Sequence, residues 1–126
     1  MPSANKSESE KAISNAIIRF EKEFMGRGPL NARTYLIDDL VIVRLKNVLT
    51  PAELKLAQVD SKERGRNLIK TLRQELIEQG RPLLDAAIKE ILGIDVVSLH
   101  TDISAKTGER MIVFSLESVP DEARNA

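Results

Sequence analysis

The sequence has no cysteine and no tryptophan, only one histidine, and aromatic residues make up 3% of its 126 positions. Without cysteine the chain forms no disulfide, no thiolate nucleophile and no thiolate metal site, and this composition suits a reducing cytoplasm. A single histidine excludes a histidine-cluster metal site within one chain. The scarcity of aromatic rings for base stacking argues against nucleic acid as a partner.

The sequence also lacks a charge surplus and a long apolar run. Its 19 Lys and Arg balance 19 Asp and Glu, whereas nonspecific DNA binding needs a positive surplus. No stretch reaches the roughly 18 consecutive apolar residues of a membrane-spanning helix, and the polar residues 1–10 lack a signal-peptide pattern. We therefore expect a cytoplasmic protein that does not span a membrane. Since 42% of the residues are hydrophobic, the chain is able to pack one domain.

Local signals in the first part of the chain predict a helix followed by a hairpin. Ser7 and Glu10 have the spacing of a helix capping box. Apolar residues then recur every three or four positions up to Gly26, which predicts a helix over residues 8–25. Two β-rich runs at 33–37 and 40–46 are separated by two Asp residues, which predicts a hairpin. We expect its core face to consist of Leu36, Val41, Val43 and Leu45.

The middle of the chain predicts two more helices. Thr50-Pro51-Ala52-Glu53 combines a capping box with proline at the first helical position, which predicts a short helix. The periodicity shifts at residues 59–62, and a long helix then continues to about residue 92. Gly80 and Pro82 lie inside it, so we expect a looser, kinked helix there. The apolar pattern predicts that its buried side consists of Leu68, Ile69, Leu72, Leu76, Leu83, Ala87 and Ile91.

The last third predicts a second hairpin from residues 95–103 and 110–117. The order α-ββ-α-α-ββ indicates an α+β fold, in which an antiparallel sheet of about four strands is packed by helices. We expect a single domain over residues 8–117, a disordered N-terminal tail at 1–7 and a flexible C-terminal tail at 118–126.

Two short motifs invite functional interpretations. Gly26-Arg27-Gly28-Pro29 resembles a phosphate loop, but it follows a helix, where the dipole end is negative, so a C-cap and turn is favoured. The motif His100-Thr101-Asp102 places an imidazole and a carboxylate on one strand face. A histidine beside a carboxylate is able to serve as a general base. No nucleophile accompanies them, so a polar sheet face or a subunit contact is favoured over catalysis.

Charge is unevenly distributed along the long helix. Segment 62–73 has five basic residues and one acidic residue, whereas segment 74–90 has four acidic and two basic residues. Lys62, Arg66, Lys70 and Arg73 are spaced so that they share one side of the helix. A solvated face is the default explanation of this pattern, and the alternatives are an antiparallel copy of the same helix and an anionic ligand or nucleic acid.

Several segments together resemble the MpsC-like family, a bacterial domain named for a sodium-translocating, membrane-potential-generating system. They are residues 20–29, 43–45, 49–53, 100–104 and 107–110, and the resemblance extends over residues 8–117. It implies a small protein that is accessory to a membrane ion or inorganic-carbon transport system. The resemblance implies no catalytic residue.

We interpret the chain as a noncatalytic binding or regulatory module that forms a homodimer and acts on membrane transporter subunits at the inner face of the membrane. A sensor of a small anion or nucleotide is the second interpretation, and an enzyme using His100 as an acid–base group is the third. We expect no cofactor, no metal and no catalytic residue. The candidate binding residues are Arg27, Arg44, His100, Asp102, Lys106 and Arg110.

Overall fold

Helices and hairpins alternate along the chain in the predicted order. The computed structural model describes residues 5–29, 31–58 and 62–124, with nothing described of the Lys62 side chain. Its elements are α1 (Lys6–Met25), β1 (Asn31–Ile37), β2 (Leu40–Lys46), α2 (Pro51–Gln58), α3 (Lys62–Leu92), β3 (Val96–Ile103), β4 (Arg110–Leu116) and α4 (Asp121–Arg124). The predicted α+β class and element order are confirmed.

The two hairpins form one antiparallel sheet with strand order β1-β2-β4-β3. Alternate residues of each strand point to opposite faces, so one face supplies the core and the other does not. The predicted core residues of the first hairpin are buried, and Ile112, Phe114 and Leu116 of β4 join them. α1 and α3 pack together on this side, with α1 against β1 and α3 against β3.

The start of α1 differs from the sequence prediction. Asn5, rather than Ser7, is the N-cap: its side chain accepts the Glu8 N–H, and the Glu8 carboxylate lies 3.5 Å from the Asn5 nitrogen. Glu10 is therefore not part of the capping box, and its carboxylate instead accepts the N–H of Leu36 at 2.9 Å. Since β1 is an edge strand, this contact satisfies one donor that would otherwise be open. At the other end, Gly26 is the predicted C-cap, with φ of 80°.

The predicted buried side of α3 is partly wrong. Leu68, Leu72 and Leu83 are 48%, 51% and 57% exposed. Among the other predicted residues, Ile69 is buried, whereas Leu76, Ala87 and Ile91 are only partly buried. The face that packs on α1 and the sheet is instead formed by Ile69, Arg73, Ile77, Gly80, Leu84, Ile88 and Leu92. The leucine pattern was misleading because α3 has apolar residues on more than one side.

Gly80 permits close contact between α3 and α1. A Cβ atom at this position would collide with the ring of Phe20, which stacks on Phe24 with ring centroids 4.7 Å apart. The absence of a side chain therefore lets the aromatic pair pack against the α3 backbone. α3 is a single helix through Pro82.

Helical structure extends beyond both ends of the predicted domain. α1 begins before residue 8, and α4 lies within the predicted C-terminal tail. The Ser9 hydroxyl donates to the Glu122 carboxylate of α4 at 2.9 Å, and Ala123 packs against the core. The predicted break between α2 and α3 lies mostly outside the described residues, since 59–61 are not described.

Candidate functional site

Four charged side chains from four elements meet inside the protein and form the buried ion network. They are Glu21 of α1, Glu53 of α2, Arg73 of α3 and Arg110 of β4. All four have less than a tenth of their surface exposed. Charges are tolerated at such depth only when they are paired and hydrogen-bonded. The network therefore fixes how the helices sit against the sheet.

One half of the network is tightly bonded. The Arg73 guanidinium donates to the two carboxylate oxygens of Glu53 at 2.9 and 2.6 Å and to the Val48 carbonyl at 2.6 Å. The same carboxylate accepts the Thr50 N–H at 2.9 Å, while the Thr50 hydroxyl accepts the Glu53 N–H, which is the predicted capping box. Burial opposes ionisation, but the Arg73 and Thr50 hydrogen bonds outweigh it and lower the pKa of Glu53.

The other half of the network is loosely bonded. The carboxylate oxygens of Glu21 lie 3.5 Å from Arg73 and 3.5 Å from Arg110. Burial raises the pKa of Glu21 above its ordinary 4.5, although both arginines oppose that shift. Burial also lowers the pKa of Arg110, even though Glu21 opposes this. The Nε atom of Arg110 is buried and has no hydrogen-bond partner among the described residues.

A cleft between α3 and the β3–β4 hairpin opens beside this loose half, and we call it the α3–β3 cleft. It consists of two adjoining cavities of about 320 and 390 Å³, which share Lys70, Asp102 and Ile103. Arg110 lines the first cavity, whereas Arg66 and Lys106 line the second. The carboxylates in the lining are Glu75, Asp102 and Glu109.

Most of the cleft's acidic groups already have partners. Asp102 accepts the N–H of Ile103 at 2.8 Å and lies 3.3 Å from the Lys70 ammonium. The backbone hydrogen bond from Ile103 is the largest cause that lowers the pKa of Asp102; burial opposes it, and Lys70 lowers the pKa further. Glu109 forms a 2.6 Å ion pair with Arg44, which lies outside the cleft lining.

A second surface is the sheet face opposite the core, which we call the open sheet face. Cross-strand pairing aligns Tyr35, Ile42, Val113 and His100 in one row and Arg33, Arg44, Met111 and Asp102 in the next. Ile37 and Leu40 extend the apolar area beside the first turn, and Ile37 is 50% exposed. A groove of about 340 Å³ on this face is lined by Asn31, Arg33, Tyr35, Arg44 and Lys46.

The six candidate binding residues lie in different places. Asp102 and Lys106 line the α3–β3 cleft, and Arg44 and His100 belong to the open sheet face. Arg27 is near the end of β2, where its Nε donates to the Asn47 carbonyl at 3.3 Å. Arg110 also lines the cleft, but its side chain is almost completely buried in the ion network. Its charge suggested exposure, but a buried carboxylate 89 residues away is its partner.

His100 is not paired with Asp102. It lies on the exposed side of the edge strand β3, where its Nε2 is 3.3 Å from the Ser98 hydroxyl. Asp102 is bonded instead to Lys70 and its own strand. The expected basic stripe of α3 is also divided: Arg73 is buried, whereas Lys70 and Arg66 line the cleft.

Comparison with known proteins assigns the family. The sequence profile described as Na⁺-translocating membrane potential-generating system (MpsC) matches residues 5–118. The chain belongs to the MpsC family. Two Bacillus subtilis (strain 168) proteins described as uncharacterized are similar: YbcI is 44% identical over 112 residues, covering 89% of this chain and 88% of that protein. YrhF is 26% identical over 114 residues, covering 89% of this chain and 91% of that protein. No solved structure matches significantly.

The family description links MpsC members to a membrane system that translocates sodium. Among the described residues, no helix combines the length and apolar character needed to cross a bilayer. The described residues also contain no group of three or more His, Asp or Glu side chains suited to hold a metal ion.

Proposed function

We propose that this MpsC protein is a noncatalytic binding and regulatory module, accessory to a Na⁺-translocating, membrane-potential-generating system. It acts in the cytoplasm, at the inner face of the membrane, by docking on a membrane-associated protein of that system. Family membership supports the connection with the system. The composition of the open sheet face supports docking, and it also indicates the chemistry of the partner.

The observation that carries this proposal is the placement of like charges on the open sheet face. Arg33 lies directly opposite Arg44 in the ladder, and Lys46 follows on the same side of β2. Like charges directly opposite each other destabilise a sheet unless an acid is nearby. Only Arg44 has such a partner among the described residues, which is Glu109. A docked acidic group would offset the remaining repulsion.

Apolar side chains beside these cations specify the rest of the partner. Tyr35 is 39% exposed, and Ile37 and the partly buried Ile42 adjoin it. Contact areas that combine aromatic residues, arginines and aliphatic side chains are typical of protein interfaces. At the β1 edge, Glu10 occupies the Leu36 N–H, so docking on the face is favoured over addition of a strand there. The expected partner is an acidic protein segment that also has apolar side chains.

A pull-down from gently solubilised native membranes tests this proposal. Tagged protein would be compared with a variant carrying Arg33→Glu and Lys46→Glu, which reverses two charges on the open sheet face. A control with Arg19→Glu and Lys22→Glu reverses two exposed charges of α1 instead. A third variant, His100→Ala, alters the edge of the apolar row. Mass spectrometry would identify the proteins recovered.

We expect wild type and the α1 control to recover membrane-embedded subunits of the sodium-translocating system. The variant with reversed charges on the sheet face should lose them, and His100→Ala should weaken their recovery. Recovery of only the tagged protein itself would contradict the accessory role. Equal recovery by all variants would show that the open sheet face is not the contact.

We also propose that the module is a homodimer formed through the outer side of α3. Leu68, Leu72 and Leu83 are about half exposed and lie within about 60° of one another around the helix axis. The first half of this helix is basic and the second half acidic. An antiparallel second copy matches both properties, since it covers the leucines and brings halves of opposite charge together.

The antiparallel arrangement also predicts particular contacts. A pairing centred near Ile77 places Arg64 of one copy beside Glu90 of the other, and both side chains are exposed in the single chain. It places Leu68 beside Ala86 and brings Leu72 close to Leu83 of the second copy. The two-fold symmetry repeats each contact, so the charge pair occurs twice.

Sedimentation equilibrium tests this arrangement by charge exchange. The single substitutions Arg64→Glu and Glu90→Arg should each weaken dimerisation. The double variant should restore it, because the ion pair forms again with the two charges exchanged. Leu72→Glu should give a folded monomer, since this side chain is exposed in the single chain. A wild type that remains monomeric at all concentrations would contradict the proposal, as would a double variant that shows no rescue.

A further inference from the structure

Two arginines that line the α3–β3 cleft have hydrogen-bond donors without a partner among the described residues. The Nε atoms of Arg66 and Arg110 are both buried and have no partner among the described residues. Arg110 is 1% exposed, so its guanidinium has little access to bulk solvent. Leaving a buried donor unpaired is costly, and more so when the group is charged. Arg110 and Arg66 line the two adjoining cavities, and their unpaired donors indicate that an acceptor belongs there.

The charge of the lining specifies the kind of acceptor. Four cations line the two cavities: Arg66, Lys70, Lys106 and Arg110. Of the lining carboxylates, Glu109 is paired with Arg44 on the open sheet face and Asp102 with Lys70. An anion with several oxygens would accept from the guanidinium and ammonium groups together, since charge-assisted hydrogen bonds of this kind are the strong ones.

The geometry of the surrounding elements holds these donors in place. Arg66 and Lys70 are one turn apart on α3, so they project on the same side of the helix. Arg110 is at the start of β4, and Glu21 holds its terminal nitrogen Nη1 while Nε has no partner among the described residues. Lys106 belongs to the β3–β4 turn and is exposed, so it is free to close over a ligand. The site thus has a rigid base and an adaptable rim.

Asp102 would compete with a bound anion for the ammonium group of Lys70. Its side chain is 78% exposed, and it pairs with Lys70 at the boundary of the two cavities. An exposed ion pair of this kind contributes little free energy, so an incoming anion displaces the carboxylate at small cost. Neutralising Asp102 should therefore strengthen anion binding.

We propose that the α3–β3 cleft binds a small tetrahedral oxyanion, as free inorganic phosphate or as the phosphate group of a nucleotide. Arg110 lies at its base, Arg66 and Lys70 at its wall, and Lys106 at its rim. The inference does not rest on docking by the open sheet face, because the residues that form the oxyanion site are different from those of the docking groove.

Isothermal titration calorimetry with inorganic phosphate, at ionic strength held constant with sodium chloride, tests the site. Parallel titrations with adenosine 5′-monophosphate and with adenosine distinguish free phosphate from a nucleotide phosphate group. The variants are Lys70→Gln, Lys106→Gln and Asp102→Asn, and the control is Lys55→Gln, an exposed lysine of α2. Arg110→Lys is left out of the decisive set because it also perturbs the buried ion network.

We expect phosphate or the monophosphate to bind and adenosine not to bind. Loss of one charged donor should weaken binding by about tenfold to a hundredfold in Lys70→Gln and Lys106→Gln, with Lys55→Gln unchanged. Asp102→Asn should bind more tightly than wild type. The absence of binding by both phosphate compounds would overturn the proposal, and so would equal affinity in the cleft variants and the control.

Discussion

The two halves of the buried ion network have the same chemistry but different bonding. Glu53 accepts two hydrogen bonds from the Arg73 guanidinium at 2.9 and 2.6 Å, whereas Glu21 has only 3.5 Å contacts with Arg73 and Arg110. The pKa of Glu53 is lowered by its hydrogen bonds, which outweigh burial, and that of Glu21 is raised by burial. Burial alone therefore does not determine the direction in which the pKa of a glutamate shifts, because short hydrogen bonds to the carboxylate can reverse the effect of burial.

This difference coincides with position in the fold. The tight half joins α2 to α3 and also caps α2, so it belongs to the framework. The loose half lies beside the α3–β3 cleft, where the Nε of Arg110 has no partner among the described residues. A framework needs satisfied groups, whereas a binding site retains unsatisfied ones for its ligand. Substitutions in the two halves should separate these roles.

The largest effect is expected from Arg73→Met, which removes the donor of the tight half. The Glu53 carboxylate and the Val48 carbonyl would both lose their Arg73 bonds while remaining inside the protein. The expected loss is about 3–5 kcal/mol in the free energy of unfolding, measured by urea denaturation. Arg73→Lys should recover only part of it, because lysine lacks the planar two-point contact. A loss no larger than that of Lys55→Met, at an exposed site, would show that the tight half is dispensable.

A smaller effect is expected from Glu53→Gln, because glutamine keeps an acceptor for the helix cap. The loss of the charge should cost about 2–3 kcal/mol at neutral pH. The pKa of Glu53 is lowered below 4.5 in the fold, so its contribution is fully present above pH 4.5 and disappears as the pH falls through the folded pKa. Urea denaturation over this range should show wild type and variant converging below pH 4.5. If the stabilities of wild type and variant already converged above pH 4.5, the fold would not stabilise the Glu53 anion.

The framework was predictable from sequence wherever a local signal determines it. The capping box at Thr50 and Glu53, the C-cap at Gly26 and the hairpin break at Asp38-Asp39 were all confirmed. Each depends on residues within a few positions of one another. The buried side of α3 was not predictable in this way, because the leucines were given more weight than an arginine and a glycine. Arg73 and Gly80 are buried because of α1 and α2, which the local pattern does not contain.

The candidate site was less predictable, for the same reason. Arg110 was predicted only as a binding residue, whereas the structure also brings it together with Glu21 and Arg73 in the core. Lys70 and Arg66 were recognised as a basic stripe, but nothing local indicated that β3 and the β3–β4 turn would close a cleft over them. The buried ion network beside the cleft is held together by contacts between residues that are 20 to 89 positions apart in the sequence.

The smallest effect is expected from Glu21→Gln. Because the folded pKa of Glu21 is raised above 4.5, wild type loses stability as the pH rises from 4.5 through that pKa, and the variant does not. At neutral pH the variant should therefore cost less than Glu53→Gln, and its stability relative to wild type should improve as the pH increases. Urea denaturation of both proteins across this range measures the change. A cost as large as that of Glu53→Gln, growing with pH, would mean that Glu21 is a well-satisfied anion. Arg110 would then be fully engaged by Glu21, and its guanidinium would no longer be available to an oxyanion.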